Sequence, residues 1–324
     1  MLPELQSIIL NQQYVLVLLL VFCIISIYKN YNILGSVNPT PFKGKLIILL
    51  SGLLPVPGRI VLCKSLIDVM SGVSDKRTNL TAYISTHHYY FWSPLEKSVV
   101  ILLGGLSITY VQFINHLLIP IIMYLGFMLY YICTLKLKIV SKHTENKVSG
   151  GFDILLLLLC LIISCFADVI IVSLSCYLMY LLIKYKPGWK FLKDVDVSTL
   201  VYVSIILIIS CVVKHNIVYI HEYLNKVQGD LYLAMLLSFI FSFMLGSSSK
   251  FSGLCLLMTI IYGLDYMCIF YVIDFSGYML SPTHKCTLVA QSGCKSGRGY
   301  FYSRLMCICA SMVVCTGLYT WFVV

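Results

Sequence analysis

The chain has 324 residues, of which 60% are hydrophobic and only 11% are charged. A soluble domain carries about 25% charged residues, so this composition excludes an ordinary soluble protein and predicts an all-α polytopic membrane protein of about 8–10 transmembrane segments. The net charge of +10 indicates basic loops on the cytoplasmic side of a membrane. It does not indicate nucleic-acid binding, because no basic run is interleaved with aromatic residues.

The first predicted unit covers residues 1–45 and consists of one span and a loop. An apolar run at 14–27 predicts a retained first span. Lys29, Lys43 and Lys45 follow it, and the positive-inside rule therefore places this loop in the cytoplasm.

A helix-breaking stretch interrupts the next apolar run at residues 51–58, whose sequence is Ser-Gly-Leu-Leu-Pro-Val-Pro-Gly. Each proline removes a backbone donor and crowds the preceding turn, and the glycines relax the backbone. In hydrocarbon, a broken helix is stable only where protein or a wet cavity surrounds it. We therefore expect a re-entrant hairpin or a discontinuous helix in a first repeat at 46–134, with a simple kinked helix as the alternative.

An aromatic stretch at residues 83–94 contains His87, His88 and the pair Ser93-Pro94. One interpretation is an aromatic belt on an interfacial helix. The other is a helix beneath a binding site, with His87 or His88 facing that site. The residues alone leave both interpretations open.

A basic segment at 135–151 predicts a cytoplasmic linker to a second repeat at 152–304, and an apolar run at 305–324 predicts the last span. Asp168 lies near the centre of the apolar run 152–183. At bilayer depth such a residue is a functional candidate, whereas a turn between two short spans would place it at the surface.

The second repeat contains a break of its own at residues 245–250, whose sequence is Leu-Gly-Ser-Ser-Ser-Lys. Gly246 precedes Ser281-Pro282 by 35 residues, and Gly58 precedes Ser93-Pro94 by the same 35. Interrupted segments at corresponding positions of two halves indicate a transporter's midplane binding site. The serine hydroxyls could bind an ion at a helix end or form a polar surface turn.

Most of the 14 cysteines stand alone in apolar runs, where a thiol acts as a small hydrophobic group. The sequence contains no CxxC pair and no zinc-finger spacing, so we predict no metal site and no cofactor. Cys286 and Cys294 flank a polar loop and form either a disulfide or two separate thiols.

Three stretches together resemble a known family: Leu-Leu-Pro-Val-Pro-Gly at 53–58, the aromatic stretch at 83–94, and Gly-Tyr-Met-Leu-Ser-Pro-Thr-His at 277–284. In this order they resemble the integral membrane family catalogued as domain of unknown function 401, and the resemblance runs from about residue 51 to residue 304. That family is placed in the ion transporter superfamily, beside the gluconate, citrate and C4-dicarboxylate permeases. The resemblance implies two inverted repeats and secondary transport of a small anion coupled to Na⁺ or H⁺.

We therefore expect a non-enzymatic, multi-pass transporter of the cytoplasmic (inner) membrane, with the lipid bilayer and a small anionic solute, a carboxylate, as partners and a homodimer as a possible assembly. Arg59 is the nearest cation for such a solute. The alternatives are a membrane scaffold and an intramembrane metalloenzyme, whose ligands would come from His87, His88, His284 and Asp274. The residues predicted to bind solute or ion are Ser51, Gly52, Pro55, Pro57, Gly58, Arg59, His87, His88, Gly246, Ser247, Ser248, Ser249, Ser281 and His284.

Overall fold

The computed structural model describes residues 75–94, 96–137, 170–194, 230–246, 248–284 and 298–323, together with scattered positions within 15–71, 152–163, 197–222 and 286–290. Regular structure in these residues is entirely helical, which confirms the predicted all-α class. The predicted first break at 51–58, Arg59 and Asp168 lie outside the described residues.

The α-helices are numbered here in chain order. They are α1 (Lys76–Ser85), α2 (Lys97–Leu106), α3 (Tyr110–His116), α4 (Leu118–Cys133), α5 (Ile170–Tyr185), α6 (Leu231–Leu245), α7 (Ser248–Tyr262), α8 (Met267–Leu280) and α9 (Arg298–Val323). Short 3₁₀ helices lie at His88–Phe91, Gly188–Asp194 and Leu264–Tyr266.

One helix among the described residues, Arg298–Phe322 within α9, is long and apolar enough to cross a membrane. Helices α2 and α3 pass the same test only as a pair, and they are bent by 106° at their junction. Helices α4, α5 and α6 are apolar but shorter than a span. The number of 8–10 segments therefore stays a prediction.

Side chains at both ends of helix α1 form hydrogen bonds with its backbone. At its start, the Asp75 carboxylate accepts from the N–H groups of Arg77 and Thr78, each at 2.8 Å, which satisfies donors that lack a helical partner. At its end, the Ser85 hydroxyl donates to the Thr81 carbonyl at 2.7 Å. The helix ends at Ser85, before Pro94.

The bend between α2 and α3 is produced by Ser107, whose φ of 58° is left-handed. Thr109 restarts the helix by accepting from the Gln112 N–H, as a capping residue does. Beside the bend, a Cβ on Gly105 would lie 2.3 Å from a methyl carbon of Leu256 in α7. The absence of a side chain at Gly105 therefore allows α2 to approach α7 closely.

Helix α8 is the centre of the bundle. Its residues from Met267 to Met279 are all buried, and it packs against α6, α7 and α9. A Cβ on Gly277 would lie 2.6 Å from the Phe239 carbonyl oxygen of α6, so the two backbones are nearly in contact. A helix that is apolar and buried on every side is a core element.

The second predicted break lies between α6 and α7. Helix α6 ends at Leu245, and Gly246 adopts a left-handed φ of 54° while its N–H donates to the Ser242 carbonyl. Glycine is the usual residue at such a helix end because it has no Cβ to clash. Helix α7 then begins at Ser248.

Candidate functional site

Two stretches that lie far apart in the sequence meet in the interior at a pair of histidines. The Nε2 atoms of His87 and His284 are 3.1 Å apart across 197 residues. His87 is fully buried, and the side chain of His284 is 4% exposed. The aromatic stretch at 83–94 and the stretch at 277–284 therefore contribute to a single site.

His87 is held in a defined orientation by the end of α1. Its Nδ1 lies 2.6 Å from the backbone carbonyl oxygen of Tyr83, one helical turn earlier. A carbonyl oxygen only accepts, so this contact places a proton on Nδ1. In the neutral ring the lone pair is then on Nε2, the atom that faces His284.

His284 is positioned by the turn that follows α8. The Ser281 N–H donates to the Tyr278 carbonyl, and the His284 N–H donates to the Ser281 carbonyl, each at 3.3 Å. The imidazole packs on the Tyr278 ring, with ring centroids 4.2 Å apart. Pro282 within this turn cannot continue the α8 hydrogen-bond ladder, which sends the chain back toward α1.

Cys286 is the third member of the cluster, and the sequence reasoning did not assign it a role in a site. Its Sγ, one ring nitrogen of His87 and one ring nitrogen of His284 all lie within 4.8 Å of one another. Cys286 carries a thiol and is partly buried. The sequence feature that could have identified Cys286 is its position two residues after His284. That feature is informative only once His87 is known to contact His284.

Tyrosine residues enclose the cluster. The hydroxyls of Tyr90 and Tyr278 are hydrogen-bonded to each other at 2.6 Å. The His87 ring stacks on Tyr90 at 5.6 Å and packs beside Tyr83 at 4.3 Å between centroids. All three tyrosines are buried, so the aromatic stretch packs inside the protein. These buried rings therefore do not form the aromatic belt at a membrane interface that one interpretation of the sequence predicts.

His88 turns away from this cluster. The Trp92 Nε1–H donates to His88 Nδ1 at 3.1 Å, and His88 Nε2 lies 3.1 Å from the Leu49 carbonyl oxygen. Because a carbonyl only accepts, His88 Nε2 carries the proton. The ring therefore links the aromatic stretch to the helix segment around Leu49.

Gly246 and Ser281 lie together next to the His284 turn. A Cβ on Gly246 would lie 2.3 Å from the Thr283 Oγ1 and 2.8 Å from the Ser281 Oγ. The Ser281 and Thr283 hydroxyls are themselves 2.9 Å apart. The break between α6 and α7 is thus in contact with the Ser-Pro turn.

The other predicted site residues are placed as follows. Ser248 and Ser249 form the start of α7. Asp274, a candidate ligand in the metalloenzyme alternative, is buried in α8 and accepts from the Ser242 hydroxyl of α6 at 3.1 Å, so it belongs to the α6–α8 contact. The residues that lie outside the described part are Ser51, Gly52, Pro55, Pro57, Gly58, Arg59 and Ser247.

The arrangement of two imidazoles and a thiol supports three kinds of chemistry. The two Nε2 atoms can share a proton, the imidazoles can donate to an anionic solute, and all three groups can ligate a transition-metal ion. Comparison with known proteins does not choose among them. No protein-family model matches the chain, and no curated protein matches it.

Proposed function

We propose that this chain is a multi-pass membrane transporter that moves a small anionic solute, a carboxylate, with Na⁺ or H⁺ as the coupling ion. The observation that carries the proposal is the buried His87–His284 contact at 3.1 Å. This contact joins the stretch at 83–94 to the stretch at 277–284. Each stretch contains a Ser-Pro pair that follows a predicted break by the same 35 residues.

Burial of polar groups in so apolar a chain supports a functional interior. Moving ionisable side chains out of water is costly, and inside membrane proteins such residues are typical of solute and ion pathways. Here His87, His284 and Ser281 are each at most 4% exposed. A scaffold protein has no need for this polar centre.

The α6–α7 break contacts the turn at Ser281, so a conformational change at the break would affect the proposed site. Transporters of this general design place solute sites at broken helices, where backbone groups face the ligand. Gly246 lies at such a break and packs on Thr283 and Ser281. A rearrangement of the break would therefore be transmitted to His284, three residues after Ser281.

The resemblance to the domain of unknown function 401 family points in the same direction. Membership in that family, the inverted repeats and the location in the cytoplasmic membrane are parts of this proposal. The resemblance includes residues 277–284, which form the end of α8 and the turn that carries His284.

The test is solute binding followed by uptake. Thermal unfolding of the purified full-length protein is measured against a panel of small carboxylates, with and without Na⁺ and at two pH values. A ligand that binds only the folded state raises the unfolding temperature. The active carboxylate is then used for uptake into proteoliposomes by wild type, His87→Ala, and the control His116→Ala at the end of α3.

We expect one carboxylate to stabilise the protein and to be taken up by wild type and by the control but not by His87→Ala. A flat panel from well-folded protein, together with a co-purifying partner, would support the scaffold alternative. Uptake by His87→Ala at the wild-type rate would remove the site assignment.

A further inference from the structure

We infer that His87, His284 and Cys286 form a binding site for a divalent transition-metal ion of the zinc class. This inference does not depend on transport, because it concerns the ligand atoms alone. The sequence predicts no metal site, and its metalloenzyme alternative does not include Cys286 among the ligands.

The distances between the candidate ligand atoms suit a tetrahedral ion. Zinc binds imidazole nitrogen at about 2.0–2.1 Å and thiolate sulfur at about 2.3 Å, so two nitrogen ligands lie about 3.3 Å apart and a nitrogen and a sulfur about 3.6 Å apart. The two Nε2 atoms are 3.1 Å apart, and all three ligand atoms lie within 4.8 Å of one another. The 4.8 Å limit exceeds the ideal nitrogen–sulfur separation by at most about 1.2 Å, a movement that rotation of the Cys286 side chain can supply.

His87 is oriented as metal-bound histidines are. Such a histidine usually donates its second ring N–H to a carbonyl or a carboxylate, which fixes the tautomer and directs the other nitrogen at the ion. The Tyr83 carbonyl oxygen, 2.6 Å from His87 Nδ1, provides this acceptor. The Nε2 lone pair of the neutral ring is consequently directed toward His284.

The ligand types select the class of ion. Imidazole and thiolate ligands favour zinc, copper and related metals, whereas calcium and magnesium require oxygen ligands. Three protein ligands leave a fourth position for water or solute, as in catalytic zinc sites. Cys286 is the least buried of the three ligands.

The ligands also connect distant parts of the chain. His87 follows α1, whereas His284 and Cys286 follow α8. A bound ion would therefore hold these two helix ends together, and it would stabilise the folded protein by mass action.

Cobalt(II) is the probe, because cobalt bound to a thiolate absorbs in the near ultraviolet and cobalt bound to nitrogen and oxygen alone does not. The full-length protein is purified in detergent, treated with a chelator and titrated with Co²⁺ and then with Zn²⁺. We expect one Co²⁺ per chain, a thiolate charge-transfer band, and displacement of the cobalt by zinc.

Matched variants locate the site. Cys286→Ser should lose the charge-transfer band, while Cys255→Ser, which alters a buried thiol beside Thr259 in α7, should keep it. Loss of a residue that hydrogen-bonds to a metal ligand lowers metal affinity by roughly 10- to 100-fold. His87→Gln and His284→Gln remove a ligand itself, so each should lower the affinity for cobalt by more than this. His88→Gln should bind as wild type does, because His88 turns toward Leu49 and Trp92.

A second readout does not depend on the stability of any variant. Alkylation of each cysteine in wild-type protein is followed by mass spectrometry with and without Zn²⁺. Zinc should slow the reaction at Cys286 and leave the exposed thiols of Cys133, Cys176 and Cys307 unchanged. Equal alkylation of Cys286 in both conditions, or cobalt binding without the thiolate band, would overturn the inference.

Discussion

The hydroxyl of Tyr83 donates a hydrogen bond of 2.8 Å to the backbone carbonyl of Met279, 196 residues later in the chain. Met279 lies in the last turn of α8, where carbonyl groups have no helical partner. Tyr83 therefore caps the C-terminal end of α8 from α1. The same hydroxyl accepts from the Thr287 hydroxyl at 3.0 Å.

Replacing Tyr83 by phenylalanine is expected to lower the free energy of unfolding by about 1–3 kcal/mol, because a buried carbonyl and a buried hydroxyl lose their partner. Chemical denaturation in detergent measures the change. The matched control is Tyr130→Phe in α4, where the side chain is 61% exposed. An equal effect of the two substitutions would show that the Tyr83 hydroxyl does not cap α8.

Gly277 is expected to tolerate no larger residue. In Gly277→Ala the added Cβ would lie 2.6 Å from the Phe239 carbonyl oxygen and 3.0 Å from the Phe243 nitrogen. Both are backbone atoms, so α6 and α8 must separate, at a cost typical of overpacking, about 1–3 kcal/mol.

Gly317 in α9 provides the control for Gly277. A Cβ on Gly317 would approach only the Ile269 side chain, at 3.8 Å, an ordinary contact. Gly317→Ala should leave the unfolding temperature unchanged or raise it, because alanine favours a helix by about 1 kcal/mol over glycine. A similar loss of stability in both variants would argue against the close approach of α6 and α8.

The buried carboxylate of Asp153 is expected to depend on Lys184. Lys184 Nζ lies 2.6 Å from Asp153 Oδ1, and the Asp153 side chain is fully buried. Lys184→Met leaves this charge uncompensated and should cost about 3 kcal/mol, the low end of the range for a buried pair, because Lys184 itself is 33% exposed.

The double variant Asp153→Asn/Lys184→Met tests this explanation. With the charge removed, the Tyr180 hydroxyl, 2.7 Å from Asp153 Oδ1, can still donate to the amide oxygen. We therefore expect the double variant to be more stable than Lys184→Met alone. Additive losses from the two substitutions would rule out charge compensation as the cause.

Substitution of Gly246 is expected to impair the proposed transport while leaving membrane insertion intact. Alanine at a φ of 54° costs about 1–2 kcal/mol, and its Cβ would displace the Thr283 side chain, 2.3 Å away. Proteoliposome uptake is compared with Gly126→Ala in α4, where a Cβ meets nothing within 4 Å. Wild-type uptake by the Gly246 variant would separate the α6–α7 break from transport.

The sequence predicts the features that depend on local chemistry. Low charge and long apolar runs predict an all-α protein, and Gly246 before three serines predicts a helix break. The repeated spacing to a Ser-Pro pair identifies His87 and His284 as candidate site residues. It does not predict that the two side chains are in contact.

The features that the sequence could not predict depend on packing between distant residues. Ser107 takes the left-handed conformation at the α2–α3 bend, whereas Gly105 lies within α2 at the close approach to Leu256. The tyrosines at 83 and 90 are typical of an interfacial belt, yet α8 buries them. Cys286 becomes a candidate ligand only when the turn after α8 folds back onto α1.

The pairing of residues 87 and 284 also has a consequence for biosynthesis. The two histidines are 197 positions apart, and at ribosomal speeds of about 5–20 residues per second the first waits roughly 10–40 s for the second to be made. During that interval the polar groups at the end of α1 lack the partners that α8 and its turn provide. The contacts that close the bundle around His87 can therefore form only near the end of synthesis.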